Sequence, residues 1–278
     1  MSQFAVKPGS KIKLSRVSTS MEGDYSKEEA LKQIEDLANE FASLEDTFFF
    51  AAQRPILIVL QGMDTAGKDG ACRHILEMSN IISTRVACFK RPTEEELGHD
   101  YLWRVHKQTP RKGEIVIFNR SHYEDVLVVK VHELAKPDVI EKRYDHINQF
   151  EKMLTDTGTI ILKFFLHISK EEQEERLLER EQDPNAAWKL AAGDWQEREY
   201  WDAYQEAYET AIERCSTDHA PWHIIPSDKK TQRNLAITQI LVDTFKEHDG
   251  EWKKALEAVG VKAKAGLEEY RAAKNAKA

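Results

Sequence analysis

No C-x-x-C pair, no secretory-type apolar core and no apolar run of membrane-spanning length occur in this 278-residue sequence. Each absence argues against a class of protein. The three cysteines (Cys72, Cys88, Cys215) are scattered, which argues against a disulfide frame or a zinc knuckle and suits a reducing compartment. The first residues, MSQFAVKPGSKIKL, lack the apolar core of a signal segment. The longest apolar stretches are strand-length, far short of a bilayer span. Positive charge is not in excess either: 40 Lys+Arg against 48 Asp+Glu give a formal charge of −8. No global field would draw in nucleic acid, although a local basic channel stays open. The expectation is a soluble, cytoplasmic protein with neither membrane nor nucleic acid as partner.

What is present is globular. With 41% hydrophobic and 32% charged residues, the chain has enough apolar material for one large domain with helical appendages. Residues 1–25 show no periodicity and read as an extended arm. From Ser26, S-x-x-E (Ser26, Glu29) has the form of a capping box. Leu31, Ile34, Leu37, Phe41, Leu44 and Phe48 then recur at helical steps up to Arg54-Pro55. Ile56 to Leu60 is a short continuous apolar run, the pattern of a strand buried on both faces. Further strands are expected at residues 84–89, 114–118, 159–168 and 222–225, with helices at roughly 94–108, 136–156, 170–180, 194–215 and 230–247. Such alternation predicts a parallel α/β sheet flanked by helices. The expected division is an arm and helix over 1–54, a core over 55–247 with a lid at about 170–200, and a tail over 248–278. That tail is rich in Ala, Lys and Glu, and either a peripheral helix or a partly disordered segment fits it.

The stretch LQGMDTAGKDG (60–70) follows the first strand directly, and Ala71 to Met78 read as helix after it. Gly62, Gly67 and Lys68 match the phosphate-loop pattern G-x-x-x-x-G-K. The glycines let backbone N–H groups turn inward as an anion cradle. The helix N-terminus adds partial positive charge and Lys68 a full one. The pattern next asks for Ser or Thr to hold a metal, but Asp69 stands there, and Asp64 lies inside the loop. Two carboxylates beside phosphate are repulsive unless a divalent cation sits between, and magnesium commonly takes one or two carboxylates plus phosphate oxygens. Asp69 has a plainer reading as a favourable charge at a helix N-terminus.

The strand at 114–118 runs into Asn119, Arg120, Ser121, His122, Tyr123, Glu124 and Asp125. Asn119 occupies the place where an acidic metal ligand is usual. Glu124 and Asp125 lie just downstream, and Arg120 suits a phosphate fork. Both loops belong at the carboxyl ends of their strands, where open α/β sheets bind ligands. His122 reads as a hydrogen-bonded histidine at a strand end. After the fourth strand, Arg176 and Arg180 share a helix face, and Lys189, Asp194 and Arg198 follow the break at Asp183-Pro184. These residues fit a lid that neutralises charge during phosphoryl transfer, or a solvated charged hairpin.

With GMDTAGKDG (62–70), YLWRVHKQTPRKGEIVIFNRSHYEDVLV (101–128), LKFFLHISKEEQEERL (162–177), DPNAAWKLAAGDWQEREYWDAYQEAYE (183–209) and APWHIIPSDKK (220–230) in view, the sequence resembles the polyphosphate kinase 2 family. Through FNRSHYED it looks most like the class III members. The resemblance implies a P-loop kinase core, thymidylate-kinase-like, with a helical lid. It implies phosphoryl transfer between inorganic polyphosphate and nucleotides with Mg2+ or Mn2+, taking AMP through ADP to ATP. It carries catalytic roles onto Asp64, Lys68, Arg120 and Arg180, and metal contacts onto Asp64, Asp69 and Glu124. Phosphate contacts fall to Gly62, Ala66, Gly67, Lys68, Asp69, Gly70, Lys90, Arg91 and Arg120. The nucleotide is expected under the lid, with Glu124, Asp125, Arg176, Arg180, Lys189 and Asp194. Two departures are visible: Ala187 stands where a lysine is frequent, and Ala191 or Ala192 near a usual serine. A basic stripe (Lys90, Arg91, Arg104, Lys107, Arg111, Lys112, Lys130) either guides the polyanion or is ordinary surface charge. A homo-oligomer, dimer or tetramer, is implied without a fixed number. The rival readings are an ATP-dependent nucleotide kinase of the same fold and a non-catalytic polyphosphate or nucleotide sensor.

Overall fold

Ser26 and Glu29 form the reciprocal cap that S-x-x-E predicts. Ser26 Oγ accepts from the Glu29 N–H at 3.1 Å, and the Glu29 carboxylate accepts from the Ser26 N–H at 2.9 Å. The computed structural model describes residues 2–21, 26–182 and 192–276. In chain order its elements are α1 (Lys27–Ala51), β1 (Ile56–Gly62), α2 (Lys68–Met78), β2 (Thr84–Cys88), α3 (Glu94–Leu97), α4 (Trp103–His106), β3 (Ile115–Asn119), α5 (Val128–Val131), α6 (Pro137–Asp156), β4 (Ile160–His167), α7 (Lys170–Gln182), α8 (Ala192–Glu199), α9 (Trp201–Cys215), β5 (Trp222–Pro226) and α10 (Lys230–Asn275). A 3-10 turn, His122–Val126, follows β3.

The five strands are parallel in the order β2-β3-β1-β4-β5. β1 is therefore central, and every one of its residues is buried. That is why ILIVLQG reads as a continuous apolar run rather than an alternating one. This is the α/β architecture, a parallel sheet flanked by helices, that the alternation of segments predicts. No helix among the described residues is long and apolar enough to cross a membrane.

Three segments differ from the sequence expectation. The single helix expected at 94–108 is two short ones. Thr93 and Glu96 cap the first, Gly98 ends it, and the Asp100 carboxylate accepts from the Leu102 N–H at 3.0 Å to start the second. The helix expected at 194–215 breaks at Tyr200. There Trp201 enters the core, while Arg198 ties α8 back to α7 through Lys170 O (2.7 Å) and Gln173 (2.9 Å). The helix expected to end near 247 continues to Asn275. Phe245 packs on Phe41 (centroids 4.8 Å apart), Trp252 on Phe48 (5.2 Å), and Arg54 pairs with Glu251 at 3.1 Å. These contacts hold α10 alongside α1, from the cleft end of the sheet to the end where β1 begins.

Under β4 lies a feature the apolar reading of LKFFLHI conceals. Lys163 is fully buried and donates to Glu151 (2.6 Å), the Tyr123 hydroxyl (2.9 Å) and Cys215 O (2.6 Å). His122 Nε2 lies 3.2 Å from the same Glu151 carboxylate, which is the hydrogen-bonded role expected of that histidine. Burial raises the Glu151 carboxyl, but Lys163 and His122 outweigh it and hold the group below its ordinary range. The network fixes the His122–Val126 turn, and with it the residues that flank the site.

Candidate active site

Gly62 and Gly67 are required by geometry. A Cβ on Gly62 would lie 2.9 Å from Leu166 O across the β1–β4 pair, and Gly67 has φ +98° with Arg233 Nη1 2.2 Å from where its Cβ would be. Gly67 caps α2 without a side-chain hydrogen bond, so the first N–H groups of that helix face the loop's concavity. Ala66, fully buried, closes the turn by donating to Met63 O at 3.1 Å. Lys68 folds back over the loop, donating to Gly62 O (2.8 Å) and Met63 O (3.0 Å) with Asp64 at 3.9 Å. Burial, reinforced by the Arg120 charge, lowers the Lys68 ammonium to about 8. Such a group gains from a bound polyanion, which restores the charged form.

Arg120, at φ +61°, leaves β3 in the left-handed region. Its guanidinium spans two carboxylates, Asp64 at 2.7 Å and Glu124 at 3.4 Å. Burial lowers Arg120, but Glu124 and Asp64 outweigh it and keep it charged. Burial also raises the Asp64 carboxyl, yet Lys68, Arg120 and Arg180 together bring it below its ordinary range. Asn119 donates its amide to Asp69 at 2.8 Å, so the uncharged residue at the end of β3 orients the unexpected carboxylate of the phosphate loop.

These groups open into one cleft of about 610 Å3 at the carboxyl ends of the strands. Asp64, Gly67, Lys68, Asp69, Gly70, Lys90, Arg120, Arg176, Arg180 and Asp194 all line it. Burial and the Asp64 charge both raise the Asp194 carboxyl, with Arg180, 3.3 Å away, opposing. Glu124 lines a smaller recess with Asp64 and Arg120. Asp125 is not brought into the cleft. It pairs with Arg143 at 3.0 Å and lines a separate cavity of about 440 Å3, where burial raises its carboxyl to about 6. Arg91 is exposed and outside the cleft lining, and Lys189 lies outside the described residues. Of the basic stripe, Arg104 is buried, donating to Lys90 O at 2.8 Å. Its part is to shape the Lys90 backbone.

Arg176 lines the cleft wall, but its hydrogen bonds run to backbone, Thr65 O at 2.9 Å, Ser227 O at 2.7 Å and Asp228 O at 2.9 Å, and to the Glu172 carboxylate at 2.8 Å. Sequence reasoning missed its counterpart, Arg233, which donates to Gly67 O at 3.1 Å. It also missed Lys230, Glu179, Cys88 and Phe89, all in the lining. The usable signal for Lys230 and Arg233 was position, since both start the helix that follows a strand end.

Among the described residues no group of three or more His, Cys, Asp or Glu is arranged as a metal cage. The donor set here is instead two or three hard carboxylates, Asp64, Asp69 and Asp194, around a phosphate cradle. That set fits a hard divalent ion which completes its shell with phosphate oxygens and water.

An AMP/ADP-polyphosphate phosphotransferase of Meiothermus ruber is 49% identical over 88% of this chain and 92% of its own length. An ADP-polyphosphate phosphotransferase of Rhodopseudomonas palustris is 37% identical over 87% and 89%. The crystal structure of polyphosphate kinase 2 from Arthrobacter aurescens TC1 superposes with a TM-score of 0.84 at 40% identity, covering 88% of each chain. The sequence profile of polyphosphate kinase 2 matches residues 24–253, which take in the phosphate loop, the end of β3, α7 and α8. The chain belongs to the polyphosphate kinase 2 family.

Proposed function

We propose that this protein transfers the terminal phosphoryl group of inorganic polyphosphate to AMP and to ADP, reversibly, in the cytoplasm. The observation that carries the reading is the cleft's pairing of an unusual phosphate loop with a dense ring of cations. Lys68, Lys90, Arg120, Arg180, Lys230 and Arg233 line the same volume as Asp64, Asp69 and Asp194. A donor with a charge on every phosphate and an anionic acceptor repel each other, and the barrier is mainly one of positioning and charge. Lys68 and the α2 N-terminus would hold the transferring phosphoryl, with Arg120 and Arg180 on its equatorial oxygens. The attacking oxygen already belongs to an anion, so no strong base is needed. Asp64 and Asp69, with Glu124 behind Arg120, would hold Mg2+ or Mn2+. Bound there, the ion would supply positive charge that offsets the negative charge of the phosphates. The nucleotide is assigned to the space under α7 and α8.

The name of the Meiothermus relative, with its two acceptors, favours the dual specificity. A polar loop in which Asp69 takes the place of the metal-holding hydroxyl argues against ATP as the ordinary donor. The test is ATP formation by luminescence with long-chain polyphosphate and magnesium, AMP and ADP being supplied separately and free of adenylate kinase. ATP from both acceptors is expected. ATP from ADP alone would remove AMP as an acceptor, and ATP from neither would overturn the reading.

A further inference from the structure

Residues 2–21 lie ahead of the stretch that the family profile matches, which begins at residue 24. They are nevertheless tied into the fold at several points. Phe4 to Val6 run antiparallel beside β5, where the Val6 N–H donates to Trp222 O at 2.8 Å and the Ile224 N–H to Phe4 O at 2.9 Å. Leu14 is fully buried, and His167, the last residue of β4, places Nε2 3.1 Å from both Leu14 O and Val17 O. The arm so guided arrives at the carboxyl ends of β4 and β5, the side on which the cleft opens.

There it meets Asp228. The Thr19 hydroxyl donates to one Asp228 carboxylate oxygen at 2.5 Å, the Asp228 N–H donates back to Thr19 O at 3.1 Å, and the Met21 N–H donates to Gln232 at 3.0 Å. The other Asp228 carboxylate oxygen accepts from the Ser169 N–H at 2.8 Å. Ser169 is the residue before α7, and its hydroxyl accepts from the Glu172 N–H at 3.1 Å, so it caps that helix. Asp228 therefore fixes the start of α7 from outside, while its own carbonyl accepts from Arg176 at 2.9 Å.

Helix α7 in turn holds two neighbouring carbonyls of the phosphate loop. Buried Gln173 donates to Asp64 O at 3.0 Å, and Arg176 donates to Thr65 O at 2.9 Å. Thr65 needs such support, because it sits at φ +64°, a left-handed conformation that a β-branched residue resists. The relay runs from Thr19 to Asp228, to the first turns of α7, and then to the backbone that aims the Asp64 carboxylate at Arg120.

We propose that Thr19 and Asp228 are positioning residues for phosphoryl transfer, acting through α7 on the phosphate loop. Neither lines the cleft, so neither touches the substrates. Their effect belongs on kcat, because a displaced loop misaligns the groups around the transferring phosphoryl while the charge of the cleft is unchanged. An arm that merely covered the sheet edge would contribute stability and leave kcat alone.

Thr19→Val keeps the side-chain shape and removes the hydroxyl, whereas Thr19→Ser keeps the hydroxyl. With polyphosphate and ADP, Thr19→Val should lower kcat about tenfold with each KM within about twofold, and Thr19→Ser should hold kcat within about twofold of the wild type. Asp228→Ala should lower kcat further, and adding Thr19→Val to it should change nothing more, because the hydroxyl acts through Asp228. These rates rest on the phosphotransferase reading; amide hydrogen exchange on the substrate-free protein does not. In Thr19→Val, exchange should rise about threefold or more over residues 64–68 and 170–176, with β1 and β3 unchanged. Unaltered exchange in both segments, wild-type kcat in Thr19→Val, or additive losses in the double variant would each overturn the proposal. A wild type that makes no ATP would overturn the phosphotransferase reading instead, and exchange alone would then decide the role of Thr19.

Discussion

Lys68 sits where a full positive charge is wanted by substrate and resisted by burial. Its ammonium is lowered from 10.5 to about 8 in the free protein, and a bound polyanion shifts it back up. Between those values binding takes up a proton, so affinity for polyphosphate should fall as pH rises above about 8, by up to about tenfold per pH unit. Titration calorimetry in buffers of different ionisation heat would register that proton, and a flat affinity from pH 7 to 10 would contradict it. Lys68→Arg, permanently charged, should flatten the slope whatever it does to turnover. Asp64→Asn removes the carboxylate that Arg120 and Lys68 share, and should lower kcat by about 10²-fold or more while polyphosphate still binds. Unaffected turnover would refute the role of Asp64. In the core, Lys163→Met takes from the buried Glu151 carboxylate its lysine partner, leaving it only His122 and the Tyr123 hydroxyl, and should cost about 3–5 kcal/mol in urea unfolding. Adding Glu151→Gln should recover part of that. An equal loss in the single and double variants would mean that packing, not charge, is what the pair provides.

At the scale of elements, the phosphate loop is held in a vice. Arg176 from α7 and Arg233 from α10 reach carbonyls on either side of it, Thr65 O and Gly67 O. Arg176→Lys loses the fork that also reaches Ser227 and Asp228. It should lower kcat by about 10²-fold through misplacement of the loop rather than through lost charge. The expected signature is a small change in KM with a large one in kcat, and the reverse pattern would assign Arg176 to substrate binding. Which elements could be read from sequence follows from how local their causes are. Strand β1, its loop and α2 were legible because an apolar run, two glycines and a lysine specify them within fifteen residues. The S-x-x-E cap was legible for the same reason. The 94–108 segment was misread as one helix because the cap on Thr93 and the turn at Gly98 oppose a periodicity that otherwise continues. Lys163 could not be read as buried, since its partner Glu151 is on another element, and Arg233 lies 166 residues from the carbonyl it holds. The site's charged residues near the glycine motif were thus visible, and those brought in from a distance by the sheet were not.

On the scale of the whole molecule, strand order does most of the work. With β1 central and β3 and β4 beside it, the loops after all three strands open on one edge, so cations and carboxylates from distant segments share one cleft. The opposite edge carries no such loops. One helix, α10, joins the two ends: its first turn grips the phosphate loop through Arg233, and its last turns stand clear of the fold. An unbroken α-helix of 46 residues measures about 69 Å. A tether fixed at Asn275 would therefore grip a stiff strut pointing away from the cleft. Molecules anchored by that tail to a bead or an electrode would face the solution with their catalytic mouths outward, at a uniform stand-off, and long polymers could reach them without threading past the support.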